Sequence, residues 1–332
     1  MRAAVAVAAL TVGLVSVPAV GMPSPVSSPV PEGSCEQTLG QETHAGHRRL
    51  ITAQVGASRV RVLLPPGYRT STRRYPVLYL MHGAQGSADS WLVYSDLLSF
   101  TASLRDRQQA VVVMADTSVS SGMTLDWADG AHAWETYMTR ELPRWVAANL
   151  RVRTDRRHTA IAGYSSGGYS ALHLAAARPD RYVAVAGFSP VASLSFAGLP
   201  GRTALWSVFH TLAVCDGSDP AGPGILPNPV ADPKAWDAVD PVPRAARLRD
   251  TNVYLASGNG NLCEPADAQY APYGIPLAEA AIRRSVVHLD EALTAQRVPH
   301  TTVLHDCGLH WWPWWQRDLH SWWPRFIAST RN

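Results

Sequence analysis

From about Leu50 onward, short apolar runs alternate with longer stretches of helical periodicity, and that alternation leaves few architectures open. A segment such as Pro76-Val77-Leu78-Tyr79-Leu80-Met81 has no polar face, so as a strand it must be covered on both sides. Ala110–Ala115, His158–Gly163, Tyr182–Phe188, Asn252–Ala256 and Thr301–Leu304 repeat the theme, after two earlier strands at Leu50–Val55 and Ser58–Leu64. Helices are expected at Trp91–Arg105, Trp134–Ala148, Gly167–Ala177, Pro276–Ala295 and Trp312–Ile327. The stretch Ser189–Asp240 is rich in Gly and Pro and reads as loops inserted at the carboxyl edge of the sheet. The pattern predicts an α/β fold, a mostly parallel central sheet with helices on both faces, in one domain over residues 47–332.

The amino-terminal segment is of another kind. Arg2 precedes an apolar run from Ala3 to Val20 that ends in small residues at Ala19 and Gly21, the pattern of a signal peptide over residues 1–21. Residues 22–46, rich in Pro, Ser and Gly, read as a flexible leader. No later run is long enough to span a bilayer, so the mature chain is expected to be exported without a membrane span, as an extracellular or cell-envelope protein. Four cysteines in an exported chain suggest disulfides. Cys263 and Cys307 each follow a predicted strand near the end of the fold and are expected to pair, leaving Cys35 with Cys215. A net charge of +3 with no Lys/Arg cluster interleaved with aromatics sets nucleic acid aside as a partner. No His/Asp/Glu cluster has metal-ligand spacing, so neither a metal nor a cofactor is expected.

The chemistry is concentrated in Gly163-Tyr164-Ser165-Ser166-Gly167, which follows a predicted strand and opens a predicted helix. In that setting G-x-S-x-G is the nucleophile elbow of an α/β-hydrolase fold, because only glycines permit a turn tight enough to lift the serine clear of the sheet. Serine needs a base, and the base needs an orienting carboxylate. Of the twelve histidines, His310 lies just after the last predicted strand, where this fold delivers its base. Glu264, Asp267 and Glu279 all follow the seventh strand and are candidates for the acid. The oxyanion hole calls for two N–H groups, expected from Ser166 and from Ala84 in His82-Gly83-Ala84-Gln85-Gly86. Six tryptophans crowd between Trp311 and Trp323. Trp315, Leu319, Trp322 and Phe326 share one helical face and read as core, whereas Trp311, Trp312 and Trp314 flank His310 and are expected at the mouth of the site.

These residues are similar to those of the esterase D superfamily, and within it the chain resembles the antigen 85 group of mycolyltransferases. The resemblance rests on Asp126-Trp127 with Trp134-Glu135-Thr136-Tyr137, on Asp232-Pro233 with Ala235-Trp236, on Gly258-Asn259-Gly260, and on His310-Trp311-Trp312-Pro313-Trp314-Trp315. It implies a helix-borne acid after Gly-Asn-Gly, which ranks Glu279 first and Glu264 second. It also implies substrate contacts at His82 and Gln85, the places where that group carries an Asp and an Arg that engage trehalose. Their replacement leaves the acyl-enzyme chemistry implied but not the sugar acceptor. The expected function is a serine ester hydrolase or acyltransferase working on an ester or acyl-lipid substrate, with a sugar or lipid hydroxyl as the alternative acceptor. A noncatalytic sugar- or matrix-binding protein on the same scaffold is the reading from another class.

Overall fold

The computed structural model describes residue 44 and residues 46–273 and 275–331. The expected signal peptide, Cys35 and nearly all of the leader lie outside the described residues. Eight strands form one sheet: β1 (Leu50–Val55), β2 (Ser58–Leu63), β3 (Val77–Met81), β4 (Val111–Ala115), β5 (Thr159–Tyr164), β6 (Ala184–Phe188), β7 (Asn252–Ser257) and β8 (His300–Leu304). Their order is β1-β2-β4-β3-β5-β6-β7-β8. The β1–β2 and β2–β4 pairs are antiparallel, and every pair from β4 across to β8 is parallel.

The helices are α1 (Ser90–Tyr94), α2 (Leu97–Ser103), α3 (Trp134–Thr136), α4 (Leu142–Asn149), α5 (Ser165–Ala177), α6 (Gly198–Cys215), α7 (Pro233–Val239), α8 (Ile275–Ala295) and α9 (Trp312–Ser329). Alternate residues of each strand feed opposite cores, as the two-residue pleat requires. Val77, Tyr79 and Met81 of β3 join one cluster with α4, α5 and α8. Leu78 and Leu80 join a second with α1, α2 and α9. The core reading of the tryptophan-rich helix holds: Trp315, Leu319, Trp322 and Phe326 are all buried in that second cluster.

Two expectations change. The helix expected over Trp91–Arg105 is broken at Ser95, whose backbone is extended and whose Oγ donates to Trp91 O at 2.5 Å. The segment expected to be loops, Ser189–Asp240, instead carries α6 and α7. Helix α6 buries only Phe209 and Ala213, so it has little apolar periodicity to betray it.

Candidate active site

The switch in strand order places β3 beside β5, so the loops leaving their carboxyl ends must touch. From β5 the chain turns at Ser165 into α5, with Ser165 held at φ 55°, a left-handed conformation that costs energy in a non-glycine residue. A Cβ on Gly163 would strike the Gly167 carbonyl, and one on Gly167 would strike the His82 carbonyl oxygen. The two glycines of the motif are therefore demanded by contact with each other and with the loop after β3. Gly83 is demanded from the other side, since a Cβ there would overlap the Tyr164 ring and the Ser165 side chain.

The expected base and acid arrive from distant segments. Ser165 Oγ lies 2.9 Å from His310 Nε2, and His310 Nδ1 lies 2.7 Å from Glu279 Oε2. Glu279 is fully buried in α8, and its other oxygen accepts three hydrogen bonds: from Ser189 Oγ and Ser257 Oγ at 2.8 Å each, and from Gly258 N at 2.6 Å. Burial alone would push this carboxyl up. The His310 hydrogen bond and charge, with the two serine hydroxyls, outweigh burial and hold it below the ordinary carboxylate value. His310 packs edge-on against Trp315, with ring centroids 5.0 Å apart, which fixes the plane of the imidazole.

The loop carrying His310 is fastened to the loop after β7. Gly260 N donates to Gly308 O and Gly308 N to Asn261 O, at 2.8 Å each. The expected Cys263–Cys307 disulfide is present, with Cα atoms 5.4 Å apart. Arg283, one turn beyond Glu279, donates to Gly258 O at 3.2 Å and to His305 O at 2.7 Å, tying both loops to α8. Cys215 is also disulfide-bonded, while its expected partner Cys35 lies outside the described residues.

The competing acids are elsewhere. Glu264 is exposed, and Asp267 turns back to accept from Cys263 N and Glu264 N. Ser166 stands at the start of α5, where helix N–H groups have no intrahelical acceptor, and its hydroxyl is turned away to Ser121 O at 2.6 Å. Ala84 and Gln85 are exposed at the tip of the turn closed by Gly86 N to Gly83 O.

His82 does not fit the expected substrate contact. It is buried, and its Nε2 accepts from Thr117 N at 3.0 Å while Nδ1 donates to Gly83 O at 2.9 Å. Both nitrogens are used, and burial lowers its pKa, so it is a neutral brace between the loops after β3 and β4. Trp312 is likewise buried at 8% exposure, under Tyr94 and against Trp91, and belongs to the core rather than to the mouth. Trp311 is half-buried and packs on Tyr270, 4.9 Å between centroids. Sequence reasoning missed Ser189 and Ser257. The only signal for them is their place at the ends of β6 and β7, beside the expected site.

The Esterase family model matches residues 55–326, nearly the whole described chain. Esterase MT1326 of Mycobacterium tuberculosis (strain CDC 1551 / Oshkosh) is 31% identical over 203 residues, 60% of this chain and 42% of that protein, so the match spans less than half of the relative's length. Diacylglycerol acyltransferase/mycolyltransferase Ag85A of Mycobacterium bovis (strain BCG / Pasteur 1173P2) is 29% identical over 274 residues, 77% of this chain and 75% of that protein. Among solved structures, Mycobacterium tuberculosis MPT51 superposes with a TM-score of 0.64 at 20% identity, over 85% of this chain and 99% of that one. An S-formylglutathione hydrolase from Agrobacterium tumefaciens gives 0.61 at 17% identity, over 85% and 94%. Those two likenesses speak for the α/β-hydrolase fold, and the match over residues 55–326 identifies the chain as a member of the esterase family.

Proposed function

We propose that the protein is an exported serine carboxylic-ester hydrolase that works through an acyl-enzyme on Ser165. The observation that carries this reading is the unbroken line from Ser165 Oγ through His310 Nε2 and Nδ1 to Glu279 Oε2. His310 Nε2 takes the Ser165 proton as Oγ bonds to the ester carbonyl carbon, and the carbonyl electron pair moves onto oxygen. The N–H groups of Ser166 and Ala84 are the donors for that oxyanion, and losing one such donor typically costs about 10²- to 10³-fold in rate. Collapse of the tetrahedral intermediate breaks the bond to the leaving alkoxide, which takes the proton from His310 Nε2. Water then gives a proton to the same nitrogen and attacks the acyl carbon, releasing the acid and restoring Ser165. Glu279, held anionic by its four donors, fixes the tautomer that leaves Nε2 free and offsets the imidazolium charge.

Acyl transfer to a sugar or lipid hydroxyl uses the same groups, and the Ag85A relative supports it as the second reading. Exposed Tyr94 on Trp312, and Tyr270 on Trp311, give an apolar rim beside the segment that carries His310, consistent with an acyl-lipid substrate. Export is supported by the apolar Ala3–Val20 run and by the Cys263–Cys307 bridge, which persists in oxidising compartments.

The test is hydrolysis of p-nitrophenyl esters from acetate to long chains, with and without a sugar acceptor, by wild type and Ser165→Ala. Loss of about 10⁴- to 10⁶-fold in kcat in the mutant is expected. A mutant as active as wild type would sink the acyl-enzyme reading. Diversion of acyl groups to the sugar would favour transfer over hydrolysis.

A further inference from the structure

A net charge of +3 conceals a strongly divided surface. The loops leaving the carboxyl ends of the strands, around the candidate site, are rich in carboxylates such as Asp116, Asp129, Asp216, Glu264 and Asp267. The segments entering the amino ends of the parallel strands are instead dominated by arginine, with the exposed carboxylates Asp106, Asp155, Asp180 and Asp250 interspersed among them. Arg73 and Arg74 precede β3, and Arg105 and Arg107 precede β4, all four exposed. The same holds for Arg153 and Arg157 before β5, and for Arg247 and Arg249 before β7. Arg297 precedes β8, and Arg331 follows α9, which runs back to this pole.

Hydrogen bonds between these segments show that they share one face. Arg74 Nη1 donates to Val152 O at 3.1 Å, Arg156 Nε to Pro179 O at 2.9 Å, Arg247 Nε to Ala176 O at 2.5 Å and Arg331 Nη2 to Arg107 O at 2.6 Å. These acceptors are neutral backbone carbonyls, one of them Ala176 in the last turn of α5, so the bonds orient the guanidinium groups without cancelling their charge. Among the described residues, only Arg73 with Asp106 and Arg178 with Asp180 form arginine–carboxylate pairs at this pole. At its margin Arg105, Arg107, Gln108 and Arg331, with one carboxylate, Asp106, line a hollow of about 370 Å³.

We propose that this arginine pole is a docking surface for a phosphate-rich linear polyanion, engaged on the side of the molecule opposite Ser165. The arginines are far apart in sequence and converge only through the parallel topology, which is why charge counting along the chain does not find them. Arginine's planar fork matches phosphate oxygens in pairs. Among the described residues, none of these segments carries a large exposed apolar residue that would insert into lipid. The exposed Tyr94, Leu262 and Leu277 belong to the carboxyl ends of the strands. A polymer is therefore favoured over a bilayer, and anchoring there leaves the ester site facing outward.

The full chain would be titrated with long-chain inorganic polyphosphate, and separately with phosphatidylglycerol–phosphatidylcholine vesicles. Polyphosphate binding is expected to fall at least about tenfold between roughly 50 and 200 mM salt, as counterion release requires. The variant Arg105→Glu/Arg107→Glu/Arg331→Glu should lose more than about tenfold in affinity at unchanged short-ester hydrolysis, which also reports that it folds. The matched control Arg140→Glu/Lys234→Glu/Arg284→Glu alters exposed cations elsewhere and should lose at most two- to threefold by weakened long-range attraction alone. Equal loss in the control, no binding at low salt, or binding to vesicles but not to polyphosphate would each overturn the proposal.

Discussion

Two buried carboxylates, Glu279 and Asp318, each hold a histidine from the one short segment between β8 and α9, yet their surroundings shift their ionisation in opposite directions. Glu279 holds His310 Nδ1 and has three further donors on its second oxygen. Asp318 holds His305 Nε2 at 2.8 Å, and its Oδ2 is buried with no hydrogen-bond partner among the described residues. Burial raises Asp318 above the ordinary aspartate value despite His305, whereas the donors around Glu279 carry it below the ordinary glutamate value. On the proposed reading, a histidine–carboxylate pair is therefore not in itself a catalytic device. What distinguishes the Glu279 pair is the number of donors that keep it charged, and a serine on the far nitrogen of its histidine. The Asp318 pair, with no serine beyond it, pins β8 to α9.

The comparison breaks most sharply under amide substitution. Glu279→Gln removes the charge and presents a donor to His310 Nδ1, favouring the wrong tautomer, and kcat should fall by about 10⁴-fold with KM little changed. Asp318→Asn should leave kcat within about threefold, since His305 touches no reacting atom on this reading. Measuring kcat and KM for both variants on one soluble ester tests the assignment. A large loss from Asp318→Asn, or a small one from Glu279→Gln, would exchange the two roles.

A smaller effect separates positioning from stability. Replacing Cys263 and Cys307 together by Ala opens a crosslink with a sequence separation of 44. A loop of that size should cost about 4 kcal/mol of stability on the chain-entropy account. The Gly260–Gly308 and Gly308–Asn261 hydrogen bonds and Arg283 still hold the two loops together, so kcat should drop only about three- to tenfold below the melting transition. Thermal unfolding and initial rates on the same samples check both halves.

Much of this arrangement was legible in the sequence, for a physical reason. Strands buried on both faces leave an unmistakable apolar run, and an elbow that forbids side chains at two positions leaves two glycines, so the sheet and Ser165 could be read directly. His310 followed from its place after the last strand. Glu279 does not follow from the residues alone, which favour the loop positions Glu264 and Asp267 over a carboxylate on a helix; only the family resemblance puts it first. What stayed hidden depends on contacts between distant segments. Nothing in His82-Gly83 reveals that Thr117 occupies the imidazole, and nothing in Ser189 or Ser257 reveals that both turn toward one carboxylate. Helix α6 was hidden differently, by Gly198, Pro200 and Gly201 at its start and by a shallow buried face.

The least effect, and the most direct test of the opposite shifts, is the pH dependence of stability. Glu279 has a folded-state value below its ordinary 4.5, so between the two the unfolded chain binds more protons than the folded one. Its contribution is present above pH 4.5 and is lost as pH falls through the lowered folded value. Asp318 has a folded-state value above its ordinary 3.8, so there the folded chain binds more protons, and its ionisation costs stability as pH rises from 3.8 through the raised value. Wild type minus Glu279→Gln should therefore shrink in melting temperature as pH is lowered from about 6 to about 3, while wild type minus Asp318→Asn should move in wild type's favour over the same descent. Using differences cancels the carboxylates common to all three proteins. If both differences moved in the same direction, the donors around Glu279 would not be setting its charge, and the contrast between the two pairs would reduce to the position of Ser165 alone.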